Sequence, residues 1–455
     1  MDGNTTHTGK AISLPHTGDL PESKVPNTSS SNGTSDVLGN GKLPPTRNFN
    51  ENGRPPEFGK SLRDREFCFS PGIYPLNNGS YGAVPRKLLD IQYRMMQERE
   101  ENAEMWYTFE SMSFYMDAIS RAADFVGAKS GNVVLVENAT FATNSILNSF
   151  PFKPGDQILA TSLNFRGVLK ATEMLTQLRP DIGVVKVDIP FDTTARDIID
   201  LHIQALDDNP RIVLALLDHI VCMSAILMPI RELVAACRSR GVITAIDGAH
   251  APGQLALNLE ELGADFYYGN FHKWCFTPRG CAIFYIHPKH HPWIRPAITS
   301  YGVSNLNIHK RFHPLGTQDC IPYYVLPYAI DFHSYLGGLE RITDYNAKLL
   351  IWAAEMLAAA WKTKWSRRDP ALRAPFMCLV NLPPTPRLTE YTGIGYDGLL
   401  KLRLAIARES GVIAFVTADG EQNMYVRLSA QVYNYREEYY VLRDAVIKVL
   451  GVTRD

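Results

Sequence analysis

Seven short apolar runs, set apart by turns and by stretches of helical periodicity, dominate the middle of the chain. They lie at Val133–Val136, Gln157–Ala160, Val184–Asp188, Ile212–Leu217, Val242–Ile246, Phe266–Tyr268 and Ala282–Ile286. Each reads as apolar across both faces, the pattern of a strand buried in a parallel sheet. Between them run helical stretches such as Pro229–Arg240, which Gly241 closes as the residue just past a helix end. Strand and helix in alternation predict an α/β fold, an open and mainly parallel seven-stranded sheet flanked by helices. In such sheets ligands gather at the carboxyl ends of the strands.

The pattern changes on either side. Residues 1 to about 62 are rich in Ser, Thr, Asn, Gly and Pro and hold too few apolar residues to offset the cost of ordering, so a disordered tail is expected. Folded sequence is expected from near Phe67, with a turn-rich entry at Gly72–Pro85 and a long helical pattern from Lys87 to about Ala128. From about residue 335 long helical patterns (Leu339–Ala360, Gly398–Glu409) lead to a strand pair, Ala414–Ala418 and Asn423–Ser429, and a last helix, Arg436–Leu450. This predicts a large domain at 63–334 and a smaller C-terminal α+β domain at 335–455.

Composition narrows the class. The chain has 455 residues, 45% hydrophobic and 20% charged, with a net charge of -1. No basic excess points to nucleic acid and no apolar run to a membrane span or a signal peptide. Seven cysteines, odd in number and without a Cys-x-x-Cys pair, fit reduced thiols in a cytoplasmic protein better than a disulfide framework or a zinc site.

The polar residues at the strand ends carry the chemistry. Asp247 closes the run Val-Ile-Thr-Ala-Ile, and Lys273 follows the next run inside Asn270-Phe271-His272-Lys273-Trp274. An acid at one strand end and a lysine past the next is an arrangement that holds pyridoxal 5'-phosphate: the lysine forms a Schiff base, and the acid pairs with the pyridine nitrogen and makes the ring an electron sink. Phe271, Trp274 and Phe276 around Lys273 predict a desolvated amine with a lowered pKa. Taken singly, Asp247-Gly248 is a turn and a lysine is a solvated charge. His250 is placed to donate to the ring phenolate, or is an ordinary polar neighbour. Asn270 and His272 are candidate phosphate donors. Asn138-Ala139-Thr140 opens a helical run and offers an anion site at its N-terminus, or a plain N-cap. Phe165 lies in the zone to stack on the pyridine, or is core. Arg427, charged within an apolar strand, suits a substrate carboxylate; an internal salt bridge is the rival. The loop Gly316-Thr317-Gln318-Asp319 is a candidate phosphate contact or a turn.

Together these strings resemble class V aminotransferase-family enzymes of the pyridoxal phosphate-dependent transferase fold type I, and within them the isopenicillin N epimerase-like branch. The match runs through LNNGSYGAVP, ENATFATNSIL, LLDHI, the DGAHAPG run, LGADFYYGNFHKW, TPRGCAIFY, GTQD and VRLSAQVYN, about residues 67 to 450. The resemblance implies Lys273 as the Schiff-base lysine, Asp247 as the pyridinium partner and His250 at the phenolate. It implies a phosphate cup of Ala139, Thr140, Asn270 and His272, with Thr317 from the second subunit of a homodimer, and Arg427 on the carboxylate of an amino-acid-like substrate. Departures from the family pattern fall at Asn78 (for histidine), Phe165 (for Tyr or His), Cys222 (for Ser or Asn) and Ala225 (for Gly). Asn78 and Cys222 belong to the expected substrate pocket. The leading expectation is epimerisation at Cα, which needs a second acid, with His219 as the candidate. A C–S lyase, another family activity in secondary metabolism, or an inactive binding protein are the alternatives.

Overall fold

The computed structural model describes residues 49, 54–366, 369–392, 396–419 and 423–452. The expected disordered tail lies mostly outside the described residues. Ordered chain begins before Phe67, however, because the helix Lys60–Glu66 buries Leu62 in the main core.

Among the described residues twelve strands follow in order: β1 Tyr74–Pro75, β2 Val133–Val136, β3 Gln157–Thr161, β4 Gly183–Val187, β5 Ile212–Asp218, β6 Ile243–Asp247, β7 Phe266–Asn270, β8 Ala282–Ile286, β9 Met377–Asn381, β10 Val412–Ile413, β11 Phe415–Ala418 and β12 Met424–Ser429. Seven of them form one sheet in the order β2-β8-β7-β6-β5-β3-β4. Pairing is parallel from β4 through β7, and β8 runs antiparallel to both β7 and β2. The short link Phe271–Cys281 explains the reversal, since a parallel return needs a crossover of a dozen or more residues. Helices fill the other connections. Among them, Ile230–Arg238 ends ahead of Gly241, whose φ of 70° only glycine adopts freely.

Six of the seven predicted strands are apolar on both faces as expected. β4 is not: it alternates, because it is an edge strand with one face toward solvent. Within the sheet, successive residues feed different cores. Leu217, Ile246 and Tyr267 face the larger one, while Leu216, Ala245, Phe266 and Tyr268 face the helix Ala139–Ser149. This period-two alternation decides which strand-end side chains meet.

The long helical pattern after Pro85 is divided at Asn102, with helices Arg86–Glu101 and Ser111–Val126 on either side. Beyond the helix Gly338–Ala360, a three-stranded antiparallel sheet has the order β11-β12-β9. The pair β11–β12 matches the expectation, whereas β9 was hidden in an unmarked apolar run. The last helix, Arg436–Leu450, packs on this sheet with the helix Gly338–Ala360. Among the described residues no helix is long and apolar enough to cross a membrane.

Candidate active site

A cavity of about 220 Å³ opens at the carboxyl ends of β5, β6 and β7. Ala139, Thr140, Phe165, Cys222, Asp247, His250, Asn270, His272 and Lys273 all line it, brought together from five separate stretches of sequence.

Lys273 sits on the short helix Phe271–Trp274 that follows β7. Its Nζ lies 3.1 Å from His250 Nε2. Burial is the main cause that lowers the amine's pKa. The hydrogen-bond inventory points the same way. The indole N–H of Trp274 donates to His250 Nδ1 at 3.4 Å, and an indole can only donate. Burial holds His250 well below the usual imidazole pKa, so the ring is neutral and has one N–H, which must then be on Nε2. That N–H is directed at Lys273 Nζ, whose lone pair accepts it in the neutral amine form that burial favours.

Asp247 ends β6, and its Oδ1 accepts from the Ala249 N–H at 2.9 Å. Burial raises its pKa, while the Ala249 N–H and Lys273 act to lower it. Its register partner on β5 is Asp218, a second buried carboxylate in the same cavity. Burial first and Asp247 second push Asp218 well above the carboxylate range, against an Asn164 amide that donates to it at 2.5 Å. Asp218 was not among the candidates. The signal was present: counting in twos along β5 puts it on the face of Leu216, as Asp247 shares the face of Ala245.

The helix Ala139–Ser149 points its N-terminus at the cavity. Asn138 caps it, accepting from the Phe141 N–H at 2.9 Å, and Asn270 Oδ1 accepts from the Ala139 N–H at 3.0 Å. Thr140 remains at the cavity mouth with its hydroxyl. His272 Nδ1 is 3.1 Å from the Cys281 carbonyl, so Nδ1 carries the proton and donates there. Burial lowers the pKa of this ring to about 4. Donation from His272 Nε2 to a phosphate therefore requires a second proton, which the dianion's own field would draw.

Four candidates lie elsewhere. Asn78 is 4% exposed and does not line the cavity. Its amide donates to the Lys273 carbonyl at 2.9 Å and its Oδ1 accepts from the Tyr433 hydroxyl at 2.8 Å, so it braces the lysine's backbone rather than facing a substrate. His219 follows Asp218 and so points to the opposite side of the sheet, where Nδ1 pairs with the Tyr267 hydroxyl at 2.8 Å and the ring lines a different pocket. It cannot serve as the second acid expected at Cα. Thr317 is exposed and outside the cavity within one chain. Arg427 is fully buried just behind Cys222, donating from Nη1 to the Cys222 carbonyl at 2.6 Å and from Nη2 to Asn77 Oδ1 at 2.8 Å. Its guanidinium lies 4.2 Å from the Phe415 ring centroid, and its Nε is buried without a partner. These partners are neutral, which does not match the internal salt bridge weighed as its rival role.

Ala225, where the family pattern has glycine, keeps a left-handed φ of 56° in the turn after Cys222.

These residues fit pyridoxal phosphate. A buried lysine amine, a buried carboxylate with an oxygen to spare and a helix N-terminus all face this one cavity.

Known proteins resemble this chain over most of its length. The Aminotransferase class-V family profile matches residues 88–438. A putative L-cysteine desulfhydrase 1 from Oryza sativa subsp. japonica is 31% identical, over 84% of this chain and 84% of its own. Isopenicillin N epimerase of Streptomyces clavuligerus is 26% identical, over 84% and 96%. The fold is shared with the cysteine desulfurase of Thermococcus onnurineus NA1, at a TM-score of 0.68 and 17% identity, over 88% of this chain and all of that one (100%).

Proposed function

The chain belongs to the class V aminotransferase family of pyridoxal phosphate-dependent enzymes, and on that premise we propose that it is a carbon–sulfur lyase acting on cysteine or a cysteine derivative. The position of His219 carries the choice between lyase and epimerase. Inversion at Cα needs a base on one face of the substrate and an acid on the other, and the histidine expected on the second face is turned to the other side of the sheet. β-Elimination needs one base, and Lys273 provides it. The greater identity to a desulfhydrase than to an epimerase supports the same choice.

Bound pyridoxal phosphate would supply the electron sink for bond breaking at Cα. We assign Lys273 as the group that holds it, Asp247 to its pyridine nitrogen, His250 to its phenolate oxygen and Phe165 to its ring face. Ala139, Thr140, Asn270 and His272 form the phosphate end. The exposed position of Thr317 suits a contribution to the same site in a second copy of the chain. Arg427 and Cys222 flank the substrate carboxylate. Lys273 Nζ takes the Cα proton and returns it to the departing sulfur. Cα–H and Cβ–S break, the sulfur leaves as a thiol or sulfide, and hydrolysis of the released 2-aminoacrylate gives pyruvate and ammonia.

The test is incubation of the holoenzyme with an amino-acid panel in D₂O. Pyruvate and ammonia from a cysteine-type substrate are expected. Cα deuteration with inverted configuration and no pyruvate would replace the lyase by an epimerase.

A further inference from the structure

Two stretches of chain pass, within one or two residues, from the Lys273 cavity to a second one, and β12 runs behind both. Phe165 lines the first, and Asn164 and Leu163 line the second; Cys222 lines the first, and Met223 and Ser224 the second. On β12, Arg427 touches Cys222, and Tyr425, on the same face of the strand and ~7 Å along it, lines the second cavity. Asn164 is a common wall, because its amide holds the Asp218 carboxylate of the first cavity. The second cavity has a volume of about 330 Å³. It shares Phe191, Asp419 and Tyr425 with a wider cleft beside it.

The lining suits an organic substituent. Leu163, Ile189 and Met223 are apolar, and Phe191 stacks on Tyr425 with centroids 4.9 Å apart. Ser224 is 7% exposed and its hydroxyl has no hydrogen-bond partner, a buried polar group left for a ligand to satisfy. Asp419 is the one charged side chain on this wall among the described residues, and it accepts from the Tyr425 hydroxyl at 2.7 Å.

We propose that this second cavity is the subsite for the group carried on the substrate's sulfur, so that the enzyme takes S-substituted cysteines with neutral or cationic substituents in preference to free cysteine. The inference rests on the lyase reading and deepens it. The Lys273 cavity is below the ~300–1,000 Å³ of ordinary ligand sites, and cofactor and amino-acid backbone occupy it. A substituent on sulfur must leave that space, and the adjoining cavity receives it. Its aromatic and aliphatic walls gain from apolar burial, and a carboxylate disfavours an anion. The reaction is the elimination already described, with the substituted thiol as leaving group.

The experiment measures pyruvate release by the holoenzyme from L-cysteine, S-propyl-L-cysteine, S-(2-aminoethyl)-L-cysteine and S-carboxymethyl-L-cysteine. The propyl and aminoethyl compounds are expected to exceed L-cysteine in kcat/KM by about tenfold or more, with the carboxymethyl compound about tenfold below the aminoethyl one. Met223→Trp, which fills the cavity, and Phe191→Ala, which removes its aromatic wall, should lower kcat/KM for the propyl and aminoethyl compounds by about tenfold and leave L-cysteine within about twofold. If Met223→Trp does not fold, Phe191→Ala carries the same comparison. Turnover of L-cysteine as efficient as that of any conjugate, or variants that affect all four compounds alike, would overturn the subsite and leave the lyase standing. No pyruvate from any of the four would overturn both.

Discussion

At the scale of single residues, the site is set by what burial does to titratable groups. Burial at the sheet edge lowers the pKa of the Lys273 ammonium, and the neutral amine this favours is what the role proposed for Lys273 needs. Lys273→Ala should abolish turnover and the visible absorbance of the linked cofactor, with circular dichroism unchanged; turnover retained by this variant would remove Lys273 from the mechanism. Arg427→Ala should lower kcat/KM for a carboxylate-bearing substrate by about 10- to 100-fold, mostly through KM, and Arg427→Lys should not restore it, since a lysine lacks the planar fork. Unchanged kinetics in either variant would exclude the assigned role. Lys273, Asp247 and Arg427 were legible because a charge at the end of, or inside, an apolar run is costly without a purpose. The exchange of Asp218 for His219 has an equally plain origin. Neighbouring residues on a strand face opposite ways, so Asp218 reaches the cavity and His219 the other side of the sheet.

Among elements, the entry segment Asn77–Gly82 connects the two halves of the site. Asn78 holds the Lys273 carbonyl, Asn77 and Ser80 accept from Arg427, and Asn77 bridges to Ser429 on β12. Close approach demands glycine at its end: at Gly82, where φ is +66°, an added Cβ would lie 1.8 Å from the His272 carbonyl oxygen. Gly82→Ala should therefore cost well over the ~1 kcal/mol of backbone strain alone and should loosen the cofactor. Gly72→Ala is the matched control, with φ of +76° and open space around it. Apparent melting temperature and cofactor retention on dialysis measure both variants, and equal effects would mean that the contact with His272 carries no weight. The sequence marked this segment as turn-rich, but only the packed structure shows that Gly82 rests on the backbone beside the lysine.

Over the whole molecule, the first and last helices of the described residues are tied together. Arg63 on the first helix pairs with Glu438 on the last, and Asn434 donates both to Glu438 and to the Pro75 carbonyl of the entry segment. Burial outweighs the Arg63 charge and raises the Glu438 pKa to about 7 from 4.5. A carboxyl whose folded pKa lies above its unfolded value stabilises the fold most below pH 4.5, and that contribution is lost as pH rises to about 7. Glu438→Gln should thus gain on the native chain by on the order of 2–3 kcal/mol between those limits, read as a growing difference in apparent melting temperature. A difference flat across that range would mean that Glu438 titrates normally. The amino-acid order alone determined the seven strands, their helical links and the strand-end acid and lysine, because apolar periodicity and the rise per residue are local properties. It could not determine strand direction at β8, the strand β9, the pairing of Asp218 with Asp247, the bracing role of Asn78 or the cavity beside Cys222. Those follow from which distant segments pack together, and packing is decided by the mutual burial of faces that no single stretch of chain contains.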